Sequence, residues 1–209
     1  QAELYFPADF VPNSTGFITT YLDQPVTNVG VRSLKLRAAY DNTAQILIVL
    51  WGVTGATVTD VVVPATSDAV FVDVANSSDV VISGSRASGG VWVRSRGVNS
   101  VCRRVAITGN VLTQSTDGEP IAIWAHGNPA EGNAGVVSEI TVSGNNITNT
   151  VAGPTISIGG VYTNAAGTIR DVTVVGNTIA CNTKCFYIGD SGVLHTLKNI
   201  VVGQNVIWH

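Results

Sequence analysis

The side chains able to carry acid–base chemistry are sparse: 14 acids and three histidines in 209 residues. Those in Gly-, Asn- and Pro-rich connections are Glu131 in AHGNPAEGNAGVVS, Asp190, and Asp117 with Glu119 in TQSTDGEP. Two carboxyl groups roughly 5–10 Å apart can cleave a glycosidic bond. Glu131 and Asp190 fall on connections two coils apart, near His126 and His195, and are candidates for that work. Asp117 and Glu119 form the densest acidic pair and suit a catalytic pair or part of a metal site. The Ser-Thr-Asp-Gly run reads first as a turn, however. Any loop-rich chain with this many acids offers such pairs, so solvated loop carboxylates are the competing reading.

Other chemistry finds no motif. His126, His195 and His209 are too scattered for metal ligation, and no metal or cofactor is expected. Gly-x-Ser-x-Gly, phosphate-loop and Cys-x-x-Cys patterns do not occur. Three cysteines leave at least one unpaired. Cys181 and Cys185 flank Asn-Thr-Lys and form either a bridge across that turn or two buried thiols.

The element that must position these residues is an eight-residue pattern. It reads VTVVGNTI at 172–179, ITVSGNNI at 140–147, VAITGNVL at 105–112, VVISGSRA at 80–87 and IVVGQNVI at 200–207. The first positions lie 25, 35, 32 and 28 residues apart. Apolar residues at positions one, three and eight face a core. Gly at position five relieves a corner. Asn at position six (Asn110, Asn145, Asn177, Asn205) tolerates unusual backbone angles, bonds locally and can link amide to amide along a stack. A second strand follows each of the first four copies, at Val91, Ile121, Ile156 and Phe186. Successive copies run the same way and vary only in their connections, as in a parallel solenoid. Val, Ile and Thr with period two argue against helices. Asp60, Asp79 and Asp171 precede strands and are expected to satisfy corners.

Outward positions of the second strand carry Trp92, Ala122, Ser157 and Tyr187, with Trp124 just beyond. Aromatics on such a face stack on sugars, fill an oligomer interface, or pack under a long loop. With His126 and Tyr162 they are the expected ligand or interface residues.

Residues 1–45 do not follow the repeat. They hold three of the seven prolines and are expected to be a cap or attachment segment, with the solenoid over 46–209. Charged residues are 12% and hydrophobic residues 45%, so small polar side chains must cover the surface. The net charge of −3 gives no nucleic-acid footprint, the only basic cluster being Arg94, Arg96, Arg103 and Arg104. No apolar run is long enough for a membrane span.

The Gly-Asn-x-Ile corner after Val-x-Val, in coils of this length, resembles the right-handed parallel β-helix of pectate-lyase-like proteins and bacteriophage tailspikes, over roughly 60–209. The resemblance implies an all-β, right-handed parallel β-helix. It implies a phage-type virion surface role (tailspike, fibre or capsid decoration) as a homotrimer on a virion or outside the cell. Its partners would be surface polysaccharide or other virion proteins. The Gly-Asp-Gly-x-x-Asp stretch that often opens tailspike domains is absent, so no family catalytic residue carries over. The alternatives are a polysaccharide hydrolase or lyase using the loop acids, and a bacterial surface adhesin.

Overall fold

The computed structural model describes residues 26–36, 46–63, 70–97, 99–114, 119–126, 135–159, 167–189 and 195–209. All regular structure among them is strand. In chain order the strands are β1 (Val26–Arg32), β2 (Ile46–Trp51), β3 (Val53–Thr59), β4 (Val62–Val63), β5 (Val70–Ala75), β6 (Ser78–Ser83), β7 (Arg86–Ser88), β8 (Gly90–Arg96), β9 (Val101–Thr108) and β10 (Val111–Gln114). They continue as β11 (Ile121–His126), β12 (Gly135–Ser143), β13 (Asn146–Asn149), β14 (Pro154–Ile158), β15 (Gly167–Val175), β16 (Thr178–Cys181), β17 (Lys184–Ile188), β18 (His195–Gly203) and β19 (Val206–Trp208).

Each circuit visits three parallel sheets. Sheet A is β1-β3-β6-β9-β12-β15-β18, sheet B is β4-β7-β10-β13-β16-β19, and sheet C is β2-β5-β8-β11-β14-β17. The chain is therefore the parallel β-solenoid that the repeat predicts. β1 pairs in parallel with β3, so the stack includes a strand from within residues 1–45; most of that segment lies outside the described residues. No helix of the described residues is long and apolar enough to cross a membrane.

The core is a set of stacked identical slots. Val58, Ile82, Ile107, Val142 and Val174 follow one another in register and are fully buried. Ala87, Leu112, Ile147 and Ile179 form the matching row from sheet B. Each fully buried Val, Leu or Ile contributes roughly 1.5–3 kcal/mol. In the last coil Val202 and Ile207 occupy the same slots but are 38% and 49% exposed, having a neighbouring coil on one side only.

Two corners turn the chain. At the Gly-Asn corner the left-handed residue is the glycine: Gly84, Gly109, Gly144 and Gly176 have φ of 58–65°. Asp60 and Gln204 adopt the same φ there without the freedom of glycine. The asparagines do not adopt it, contrary to the expectation of unusual backbone angles at Asn. Their work is hydrogen bonding. Asn110 Nδ2 donates to Asn145 Oδ1, Asn145 Nδ2 to Asn177 Oδ1 and Asn177 Nδ2 to Asn205 Oδ1, at 2.9–3.0 Å.

The second corner lies inside sheet A and was not foreseen. Asn28, Gly55, Asp79, Arg104, Glu139, Asp171 and Asn199 all have φ of 52–73°. The register steps over each of them. Ile169 and Val172 are both buried on either side of Asp171, a spacing of three in place of two. One left-handed residue thus bends the strand and lets two neighbours point outward. Asp79 and Asp171 lie within strands β6 and β15 rather than before them. Cys181 and Cys185 are joined in a disulfide at the turn from β16 to β17, and Cys102 is a buried free thiol.

Candidate functional site

The outer faces of sheets A and C differ in chemistry. On sheet A the outward row of Thr57, Val81, Ala106, Thr141 and Thr173 is small and uncharged. Sheet C carries three of the four tryptophans. Two rows run along it in register: Val49, Asp73, Trp92, Ala122, Ser157, Tyr187, and beside them Trp51, Ala75, Arg94, Trp124. The cause is alternation, since Leu50, Val74, Val93 and Ile123 face the core and their neighbours must face out.

Outward side chains of a bare solenoid sheet would be wet, yet most of these are not. Asp73, Ala75, Arg94, Ala122 and Ser157 are buried, and Trp124 is 4% exposed. Trp92 and Trp124 meet with ring centroids 5.2 Å apart at 44°. The Arg94 guanidinium lies 5.2 Å from the Trp92 ring centroid and donates to Asp73 in a buried ion pair. Asp73 Oδ1 and Arg94 Nε have no further partner among the described residues, and neither does Thr155 Oγ1. Glu119, just before β11, is half-buried, and burial pushes its carboxyl up to about 7, an effect the nearby Ser157 hydroxyl partly opposes.

The rim of the face is open. Trp51 is 52% exposed, and the Arg96 guanidinium sits 5.7 Å from its centroid. Asn76 holds the Arg96 backbone from both sides: Asn76 Nδ2 donates to Arg96 O at 2.8 Å and Arg96 N donates to Asn76 Oδ1 at 2.6 Å.

Of the residues singled out in the sequence, Trp92, Trp124, Tyr187 and Glu119 are described. The first three share this outer face, and Glu119 reaches it beside Ser157. Trp124 packs against Trp92 in the single chain. His126 ends β11 in register with Arg96. Glu131, Asp190, Asp117 and Tyr162 lie outside the described residues. The basic cluster splits between two faces: Arg94 and Arg96 on sheet C, Arg104 at the sheet A corner bonded twice to Asp79 at 2.6 and 2.8 Å. No group of three His, Cys, Asp or Glu side chains able to hold a metal occurs among the described residues.

Trp51, Asn76 and the Asp73–Arg94 pair were missed in the sequence. Trp51 ends ILIVLW, where counting outward from Leu50 would have placed it on the surface. Asp73 in AVFVDV is a lone charge in an apolar strand.

No family model matches the sequence, and no curated protein matches it. Among solved structures the chain is similar to a mutant tailspike protein of E. coli bacteriophage HK620 in complex with a pentasaccharide. The identity is 11% and the TM-score 0.37, over 89% of this chain and 49% of that one. The chain thus spans about half the length of that structure, and the likeness is one of fold.

Proposed function

We propose that this chain is a surface module of a phage-type virion, a tailspike, fibre or capsid-decorating β-helix, that binds bacterial surface polysaccharide along the outer face of sheet C. The observation that carries this reading is the gathering of Trp51, Trp92, Trp124 and Tyr187 on one outer face, while one outward row of sheet A, Thr57 to Thr173, is small and uncharged. Tryptophan faces offer flat apolar area to sugar rings, and the exposed Arg96 beside Trp51 answers their hydroxyls. Trp51 supplies the exposed area, and Trp92 over Trp124 braces the rest. In this reading the module assembles as a homotrimer, and the segment before the solenoid attaches it.

Titration calorimetry of the full chain with purified bacterial capsular and O-antigen polysaccharides tests the binding. At least one should bind, and Trp51→Ala should weaken it by about tenfold or more without loss of fold. Failure of every polysaccharide to bind would overturn the reading. Light scattering tests the trimer separately, and a monomer at all concentrations would remove that part.

Glu119 favours a second reading, a polysaccharide hydrolase or lyase, because a carboxyl that titrates near neutrality can donate a proton at physiological pH. The binding reading predicts no chain cleavage. Polysaccharide shortening that is lost in Glu119→Gln would replace it with the enzyme reading.

A further inference from the structure

We infer that the Trp51–Arg96 platform at the rim of sheet C receives a carboxylate-bearing sugar, so that the polysaccharide this face takes is an acidic one. The inference rests on the proposed polysaccharide binding and names its chemical class.

The platform is built from two strand ends. Trp51 closes β2 and is in register with Ala75, which is in register with Arg94 on β8. Ala75 puts only a methyl group between them, so the Trp51 ring and the side chain of Arg96, two residues beyond Arg94, approach over it. Arg94 is neutralised by Asp73. Arg96 is in none of the three ion pairs that form among the described residues. A guanidinium resting on an exposed indole needs no fixed backbone. Yet the Arg96 backbone is fixed, by one hydrogen bond donated from Asn76 and one accepted by it, and the φ of Asn76 is 51°.

An exposed cation with a located backbone, an aromatic plane under it and no ion pair among the described residues has the parts of an anion receptor. Guanidinium pairs a carboxylate through two parallel hydrogen bonds. The indole face takes the apolar side of the ring that carries the acid. Burial and then the charge of Arg94 pull the Arg96 guanidinium below its usual value, with Asp73 acting the other way, so an arriving carboxylate would relieve the site.

The test uses the full chain and a panel of bacterial polysaccharides with neutral and uronate-bearing repeats, each uronate polymer also in a carboxyl-reduced form that turns the acid to an alcohol. Uronate polymers should bind, and carboxyl reduction should weaken them by about tenfold or more. Arg96→Gln should cost the intact polymers about the same factor and leave the reduced forms unchanged, while Arg96→Lys retains part of the affinity. A melting curve for each variant confirms its fold. Neutral polymers binding as well as acidic ones, or reduced and intact forms binding alike, overturns this inference and leaves the polysaccharide reading standing. Binding of no polymer at all overturns both.

Discussion

Asn145 and Asn177 are joined side chain to side chain across one coil, Nδ2 to Oδ1 at 2.9 Å, inside a corner closed to water. The bond is one link of a longer ladder. Asn145 Oδ1 accepts from both Asn110 N–H and Asn110 Nδ2, at 2.9 and 3.0 Å. Asn145 Nδ2 also donates to Ile107 O at 2.8 Å. Asn145→Ala therefore strands several buried polar groups in three coils. Each unsatisfied group costs about 1–3 kcal/mol, so the variant should lose on the order of 3 kcal/mol in denaturant unfolding. Asn205→Ala, in the last coil and only half-buried, should cost about 1 kcal/mol by the same principle. Equal losses at both positions would mean that the ladder does not depend on burial.

The residue before each ladder asparagine gives a prediction of opposite signs. Gly144 has φ of 64°, and a methyl group there would meet only Gly109 N at 3.9 Å. Gly144→Ala thus tests backbone strain without a clash and should destabilise by about 1 kcal/mol. Gln204 fills the same slot with φ of 52°. Gln204→Gly should stabilise by about 0.5 kcal/mol, the strain relieved exceeding the chain entropy that glycine adds. Thermal unfolding of both variants decides it, and two shifts of the same sign would refute the assignment.

These two corners show what the sequence reveals of this fold and what it hides. Val-x-Val followed by Gly-Asn is legible because the same physical demand, a left-handed residue and then an amide donor, is met by the same residue types in coil after coil. The sheet A corner makes an equally strict demand on backbone angle. It is met by Asn28, Gly55, Asp79, Arg104, Glu139, Asp171 and Asn199, which share no chemistry, and only the stack reveals the row. The site hides for a different reason. Trp92 and Trp124 stand on one strand face after another and could be aligned by counting. Asp73 and Arg94 are 21 residues apart, and only parallel pairing of β5 with β8 brings them together.

Glu119 makes stability depend on pH. Its folded value of about 7 lies above the ordinary 4.5, so the folded chain holds a proton that the unfolded chain gives up. Between those two values the folded state binds more protons, and stability falls as pH rises through that window and levels off above it. The decline should be on the order of 2–3 kcal/mol. Glu119→Gln should flatten the profile between pH 4.5 and 7 relative to the parent chain. Unfolding midpoints across that range measure it, and parallel profiles for the two proteins would show that another group carries the dependence.

The Asp73–Arg94 pair lies against the Trp92 ring, and its energetics are those of charges taken out of water together. Asp73 is 1% exposed and Arg94 6%. Removing one partner leaves the other buried and uncompensated, which costs about 3–5 kcal/mol. Arg94→Met should therefore be severe, and Asp73→Asn milder because the amide still accepts from the guanidinium. Asp73→Leu with Arg94→Met removes both charges and should recover most of the loss, since an apolar pair of similar volume can match a buried ion pair. A double-mutant cycle by chemical denaturation reads the coupling. If the double variant is as unstable as the sum of the singles, Arg94 acts through the Trp92 ring it covers at 5.2 Å, and the ion pair is not what stabilises this face.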